Sequence, residues 1–270
     1  MMTFDKEYFN LGYLDMLSYK NTFVHRLDPR TKLCATAFFI VMVVSFPKYE
    51  LSGLLPFMLF PVLLFSMGDI PVKFIMKKVL LVSSFAFFIG IFNPLLDRQP
   101  MYIFYGVTLS GGWVSFLSVM LKFFLTITSA LLLIATTSFP GICHALGKLG
   151  IPDIFISQLL FLYRYIFVLV EEAMKAVRAR DMRSFGSKGK GMTVFTSITG
   201  TLFLRTVERA ERIYQAMLSR GFSGTLHATK QYGLTGADVL FFAITVFVLY
   251  LFRVNDVVGS LGRLSIRIFL

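Results

Sequence analysis

The sequence predicts an all-α, polytopic membrane protein with about five transmembrane helices plus long helices on the cytoplasmic side. Three observations predict it. Of 270 residues, 56% are hydrophobic, 31 are Phe and the mean hydropathy is +0.72, too apolar for a soluble domain of this length. The apolar residues gather in runs near the length that crosses a bilayer, with short polar turns between them. Charged residues are only 16% of the chain, yet they sum to +12, a basic excess that belongs along the cytoplasmic surface. The basic residues adjoin apolar spans and no nucleic-acid-binding motif occurs, which places the chain in a lipid bilayer and excludes nucleic acid as its partner.

Residues 1–28 read as a cytosolic lead-in, with Asp5, Glu7 and Asp15 ahead of any apolar run, unlike a cleaved signal peptide. Asp28-Pro29 then marks a helix start, Asp as N-cap and Pro at the first helical position. The first span runs to about Phe46, and His25, Arg26, Arg30 and Lys32 hold its start in the cytosol. Pro47 to Glu50 turn the chain into a second run, Leu51 to Met67, which Pro56 and Pro61 should kink. Gly68 to Lys78, with Lys73, Lys77 and Lys78, reads as a basic cytosolic loop. A third span, Val79 to Leu96, is followed by an aromatic, nearly neutral segment to Gly112 that is assigned to the outside. The fourth span, Trp113 to about Phe139, contains Lys122, which must snorkel or face the bundle interior.

Ile154 to Val170 is apolar but carries Arg164, and crossing the membrane there would put Lys175, Arg178, Arg180, Arg183, Lys188 and Lys190 outside. It is therefore read as a helix in or under the cytosolic leaflet that continues into the next helix. The last span, Ala237 to Phe252, ends outside despite Arg253, Arg263 and Arg267 in the tail. The expected organisation is an N-terminal membrane domain (1–139), a cytoplasmic helical domain (140–236) and a C-terminal span with its tail (237–270).

The chain is organised around two amphipathic helical segments in the middle domain, Glu171 to Gly186 and Leu202 to Gly224. In the second, Phe203, Thr206, Val207, Ala210, Ile213, Tyr214, Met217 and Leu218 recur at steps of three and four and form one stripe. Arg205, Glu208, Arg209, Arg212, Gln215 and Ser219 lie opposite. There Arg205 with Glu208 and Glu208 with Arg212 are spaced as supporting ion pairs. Gly221 and Gly224 stop the helix, which leaves Arg220 at its end, where a cation suits the macrodipole and can reach a carboxylate on another protein. Each segment ends in an Arg-containing triplet, Ala179-Arg180-Asp181 and Ser219-Arg220-Gly221, and a basic link from Gly186 to Gly191 joins them.

Enzymatic features are missing. No Walker-type phosphate loop occurs, so a nucleotide would have to be hydrolysed by another chain. His25, His144 and His227 are scattered, and Cys143 beside His144 is a poor chelating pair because helix neighbours point about 100° apart. Cys34 and Cys143 build no disulfide framework. The sequence offers no catalytic residue and no metal ligand set.

At these residues the chain resembles a known family. Paired helices ending in X-Arg-X triplets are similar to those of the transmembrane scaffold, the T component, of energy-coupling-factor (ECF) transporters. His25 to Leu33 (HRLDPRTKL), Phe92 to Leu96 (FNPLL), Ala179 to Gly186 (ARDMRSFG), Leu204 to Arg212 (LRTVERAER) and Met217 to Phe222 (MLSRGF) resemble its CbiQ/NikQ branch, which serves cobalt and nickel uptake. The resemblance runs from about residue 20 over nearly the whole chain. Two positions depart from the pattern: Asp181 stands where the wider family has Gly, and Ser219 where it has Ala.

The resemblance implies a non-catalytic subunit of a bacterial or archaeal cytoplasmic membrane. Two cytosolic ABC-type ATPase subunits would bind ATP and magnesium, and a membrane-embedded S component similar to CbiM or NikM would hold the cobalt or nickel ion. A small accessory membrane subunit is also compatible, and this chain itself would need no cofactor. Ala179, Arg180, Asp181, Arg183, Ser219, Arg220 and Gly221 would dock on the ATPases, with Arg205, Glu208, Arg209 and Arg212 supporting the coupling helix. Arg183, three residues after Arg180, is a second candidate for the first docking cation. Two other readings share the basic helices: the permease of a conventional ABC importer, and a non-transport scaffold whose basic face meets lipid headgroups.

Overall fold

The computed structural model describes residues 15–96, 100–104, 107–183, 191–225 and 232–255. The chain divides into two units, one formed by Leu14–Ile142 with Tyr232–Leu270 and the other containing Cys143–Gln231.

In the first unit a short helix α1 (Phe23–Arg26) precedes α2 (Pro29–Val44). The sequence start signal operates as expected: the Asp28 carboxylate accepts the Arg30 N–H at 2.9 Å and Pro29 occupies the first turn. The second apolar run is two pieces, a 3-10 segment (Ser52–Met58) containing Pro56 and then α3 (Leu59–Gly68) with Pro61 in its first turn. Missing proline N–H groups are tolerated in that first turn, which is why the change of helix type falls between the two prolines. Asp69, in the left-handed region at φ 48°, ends α3.

Helix α4 (Val72–Gly90) corrects the expected loop from Gly68 to Lys78. Lys73, Lys77 and Lys78 lie within the helix, because Ile75 and Val79, one turn apart, are both fully buried and draw the early turns into the core. A short α5 (Phe92–Leu96) follows, and then β1 (Pro100–Phe104) pairs antiparallel with β2 (Val107–Ser110), Ile103 opposite Thr108 and Phe104 opposite Val107. This hairpin is the one departure from an all-helical chain among the described residues. Its signal was present in the β-branched and aromatic run on each side of Tyr105-Gly106. Helix α6 (Gly111–Thr136) buries Ser118, Leu125, Thr128, Leu132 and Ala135 along one face, and Gly90 lets α4 approach its Phe116, since a Cβ there would lie 2.9 Å from the ring.

Two lysines tie α2 to α6. Lys32 Nζ donates to the Thr136 carbonyl at 2.8 Å and Lys122 Nζ donates to the Phe46 carbonyl at 2.6 Å. Each ammonium thus satisfies carbonyls at the other helix's C-terminal end, where the macrodipole favours a cation. The final helix, α10 (Gly236–Val254), adds a second cation to the end of α2: the Arg253 guanidinium sits 4.0 Å from the Phe46 ring centroid and donates to the Ser45 carbonyl at 3.3 Å. The core beneath is aromatic, with Phe39 stacked on Phe60 at 4.5 Å and Phe57 edge-on to Phe46 at 5.2 Å.

Helix α7 (Phe139–Lys148) leads into the other unit, which consists mainly of α8 (Asp153–Arg183) and α9 (Met192–Leu218). The first shows the expected continuation of the apolar run into the Arg helix, and the second exceeds its expected segment. Residues 154–170 and 171–183 form one continuous helix, and α9 starts ten residues before Leu202. Among the described residues, four helical segments are long and apolar enough to cross a membrane: Val72–Pro94, Gly111–Thr136, Asp153–Arg183 and Gly236–Val254. The expected first two spans, at 16 residues for α2 and within Ser52–Gly68, are shorter. Together these helices make the chain an all-α polytopic membrane protein. Asp5, Glu7, Lys188, Lys190, Gly186, His227, Arg263 and Arg267 lie outside the described residues.

Candidate functional site

Helices α8 and α9 run in opposite directions. Ser157, near the start of α8, donates to the Gly224 carbonyl beyond the end of α9, Phe161 meets Phe222 with ring centroids 6.1 Å apart, and Arg209 bonds Glu172 at 2.9 Å. The helices meet near Glu172 and Arg209 and leave a cleft on each side. The larger, about 560 Å³, is lined by apolar residues including Phe161, Tyr165, Ile213 and Met217. The smaller, about 330 Å³, is lined by Arg180, Arg183 and Arg205 with Ala176, Ala179 and Thr201.

This pairing places the two Arg triplets at opposite ends of the helical pair. Arg220 lies at the level of Phe161 on α8, so it stands roughly 30 Å from Arg180 along the pair at 1.5 Å per residue.

The Arg220 end is built on a helix-terminating turn. Phe222 N–H bonds the Met217 carbonyl and Gly221 N–H bonds the Leu218 carbonyl, both at 3.0 Å, with Gly221 at φ +80°. These are the two bonds of a Schellman motif, which needs a residue in the left-handed region, and only Gly221 supplies it without a Cβ penalty. Phe222 is thereby folded back beside Met217 on the larger cleft, and Arg220, between helix and glycine, is exposed. No ion pair of Arg220 occurs among the described residues.

The Arg180 end differs. Nε and Nη2 of Arg180 both donate to Asp181 Oδ1, at 3.1 and 2.5 Å, and the two side chains are 28% and 34% exposed. Arg180 and Arg183 occupy the last turn of α8, where cations are favoured, and Arg183 is exposed with no ion pair among the described residues. Ala179 faces the smaller cleft and Ser219 donates to the Gln215 carbonyl at 3.0 Å.

Two expectations about α9 are corrected. Neither the Arg205–Glu208 nor the Glu208–Arg212 pair forms among the described residues. All three side chains are exposed, where an ion pair gains little over hydration, and Arg209 instead reaches across to Glu172. The apolar stripe is also only partly packed. Thr206, Ile213 and Met217 are half-buried against α8, while Phe203, Val207, Tyr214 and Leu218 stay exposed. The stripe is wider than the single line of contact that two crossing helices can cover.

Glu172 was missed from the sequence, since its partner lies on another helix. Among the described residues no three His, Cys, Asp or Glu side chains group as a metal site. Cys143 is buried, which pushes its thiol up to about 11 and keeps it protonated and unreactive.

A family model described as CbiQ, cobalt transport protein, matches residues 20–232. A transmembrane protein of an energy-coupling factor transporter from Ruminiclostridium cellulolyticum is 28% identical over 84% of this chain and 90% of its own length. The Bacillus subtilis protein of the same name is 28% identical over 80% of this chain and 87% of its length. A putative fused cobalt transport protein CbiMQ from Methanocorpusculum labreanum is 32% identical over 42% of this chain and 20% of its own length. The chain belongs to the CbiQ cobalt transport protein family, the transmembrane components of energy-coupling-factor transporters.

Proposed function

We propose that this chain couples two cytosolic ABC-type ATPase subunits to a membrane-embedded subunit that captures a cobalt or nickel ion. One ATPase docks at Arg180 and Arg183, the other at Arg220, each through carboxylates in a groove on its surface. The observation that carries this reading is the opposite sense of α8 and α9, which sets the two Arg ends roughly 30 Å apart and lets each meet a different subunit. Closure of the ATPase pair then moves both helix ends about their crossing, where Glu172 and Arg209 are joined. The exposed apolar residues Phe203, Val207, Tyr214 and Leu218 offer the metal-binding subunit a surface that slides without breaking hydrogen bonds.

The test is co-purification, from detergent, of the tagged chain with its candidate ATPase subunit. Arg220→Glu and Arg180→Glu or Arg183→Glu should each reduce co-purification, and Arg220→Glu combined with either of the others should abolish it, while Lys73→Glu does neither. Wild-type recovery by all of these variants would overturn docking through the Arg ends. A gradual loss with each removed cation, Lys73 included, would instead indicate a basic face that meets lipid.

A further inference from the structure

The two Arg ends are electrostatically unlike. Arg220 is exposed and has no ion pair among the described residues, so an incoming carboxylate meets a full positive charge. Arg180 meets it already neutralised, with Nε and Nη2 both committed to Asp181 Oδ1. At 28% and 34% exposure that pair is only partly screened by water, and it draws on the same guanidinium edge that a bidentate carboxylate would use.

We propose that Asp181 is an internal counter-ion that competes with the ATPase for Arg180, which makes the α8 end the conditional docking end and the Arg220 end the permanent one. The inference rests on the docking reading above. Its chemistry is an exchange of ion pairs. The ATPase groove at the α8 end must bring a carboxylate that takes the place of Asp181 on Arg180. At the Arg220 end an acidic groove alone suffices. Exchange leaves the number of exposed charges unchanged, so binding at the α8 end is weakly dependent on salt. Pairing at Arg220 removes one exposed charge from each partner and is strongly dependent on salt.

The experiment measures binding of the purified full-length chain in detergent to its purified ATPase subunit at 50 and 300 mM salt. Wild type, Arg220→Ala, Asp181→Asn, Arg220→Ala/Asp181→Asn and Arg180→Ala are compared. Asparagine keeps the shape of Asp181 and removes its charge, and helicity by circular dichroism shows that α8 is intact. Arg220→Ala should weaken binding at least tenfold and flatten its salt dependence. Adding Asp181→Asn to it should restore at least threefold and bring the salt dependence back. If Arg220→Ala weakens binding but Asp181→Asn adds nothing or weakens it further, Asp181 is not a competitor and the proposal fails while docking stands. If neither Arg220→Ala nor Arg180→Ala changes binding, the docking reading itself fails, and this proposal with it.

Discussion

The Asp238 carboxylate accepts the backbone N–H of Asp28 at 2.7 Å, joining positions 210 residues apart in the chain. Its second oxygen accepts the N–H of Thr235 at 2.7 Å, so one side chain serves the N-terminal ends of both α10 and α2. Asp28 in turn caps α2, and both carboxylates are almost fully buried. The first and last described long helices of this unit are therefore held together by acids that each helix requires at its own start.

Asp238→Ala orphans two N–H groups, one of them buried. Each lost bond of this kind costs about 1–3 kcal/mol, so the variant should melt well below wild type in detergent while its helix content at low temperature is kept. An unchanged melting temperature would show that water replaces the carboxylate.

Lys32→Met keeps the aliphatic stem and removes the ammonium that caps Thr136, and Lys122→Met does the same at Phe46. Lys32 is 5% exposed, so its loss leaves a carbonyl that water reaches poorly, and a cost of about 1–3 kcal/mol is expected. The more exposed Lys122 should cost less, and thermal melts of the two variants check the order. Equal effects would mean that solvent reaches both helix ends alike.

His25 predicts a pH dependence. Its Nδ1 meets the Thr22 hydroxyl at 2.7 Å and its Nε2 the Leu17 carbonyl at 3.0 Å, an arrangement suited to the neutral ring with the proton on Nε2. Burial first, and the charge of Lys32 second, hold its pKa below the ordinary 6.5. The folded state thus binds the proton less tightly than the unfolded chain. This contribution to stability is fully present above about 6.5 and is lost as pH falls through the depressed folded value. The melting temperature should be flat from pH 7 to 8 and fall below 6, and His25→Gln should flatten that acid limb. An acid limb unchanged in His25→Gln would assign it to other groups.

Much of this protein was legible in its residues because the signals are local. Hydropathy gave the membrane class, Asp28-Pro29 the start of α2, and Gly221 the end of α9, each depending only on neighbours in sequence. The β-hairpin and the lysine-bearing first turns of α4 were read as loops because charge and aromatic content outweighed short-range pattern there.

By itself, then, the sequence determined the membrane class, the start of α2, the end of α9 and that an arginine stands at the end of each of two helices. Only the tertiary structure decided what those ends face. The antiparallel sense of α8 and α9, the Glu172–Arg209 contact between them and the Asp238–Asp28 bond depend on residues 37 and 210 positions apart. Helical periodicity carries no information over such distances. A helix fixes its own faces through bonds between residues four apart, but which face meets which is settled by packing and by the pairing of polar groups that the bilayer and the core leave unsatisfied.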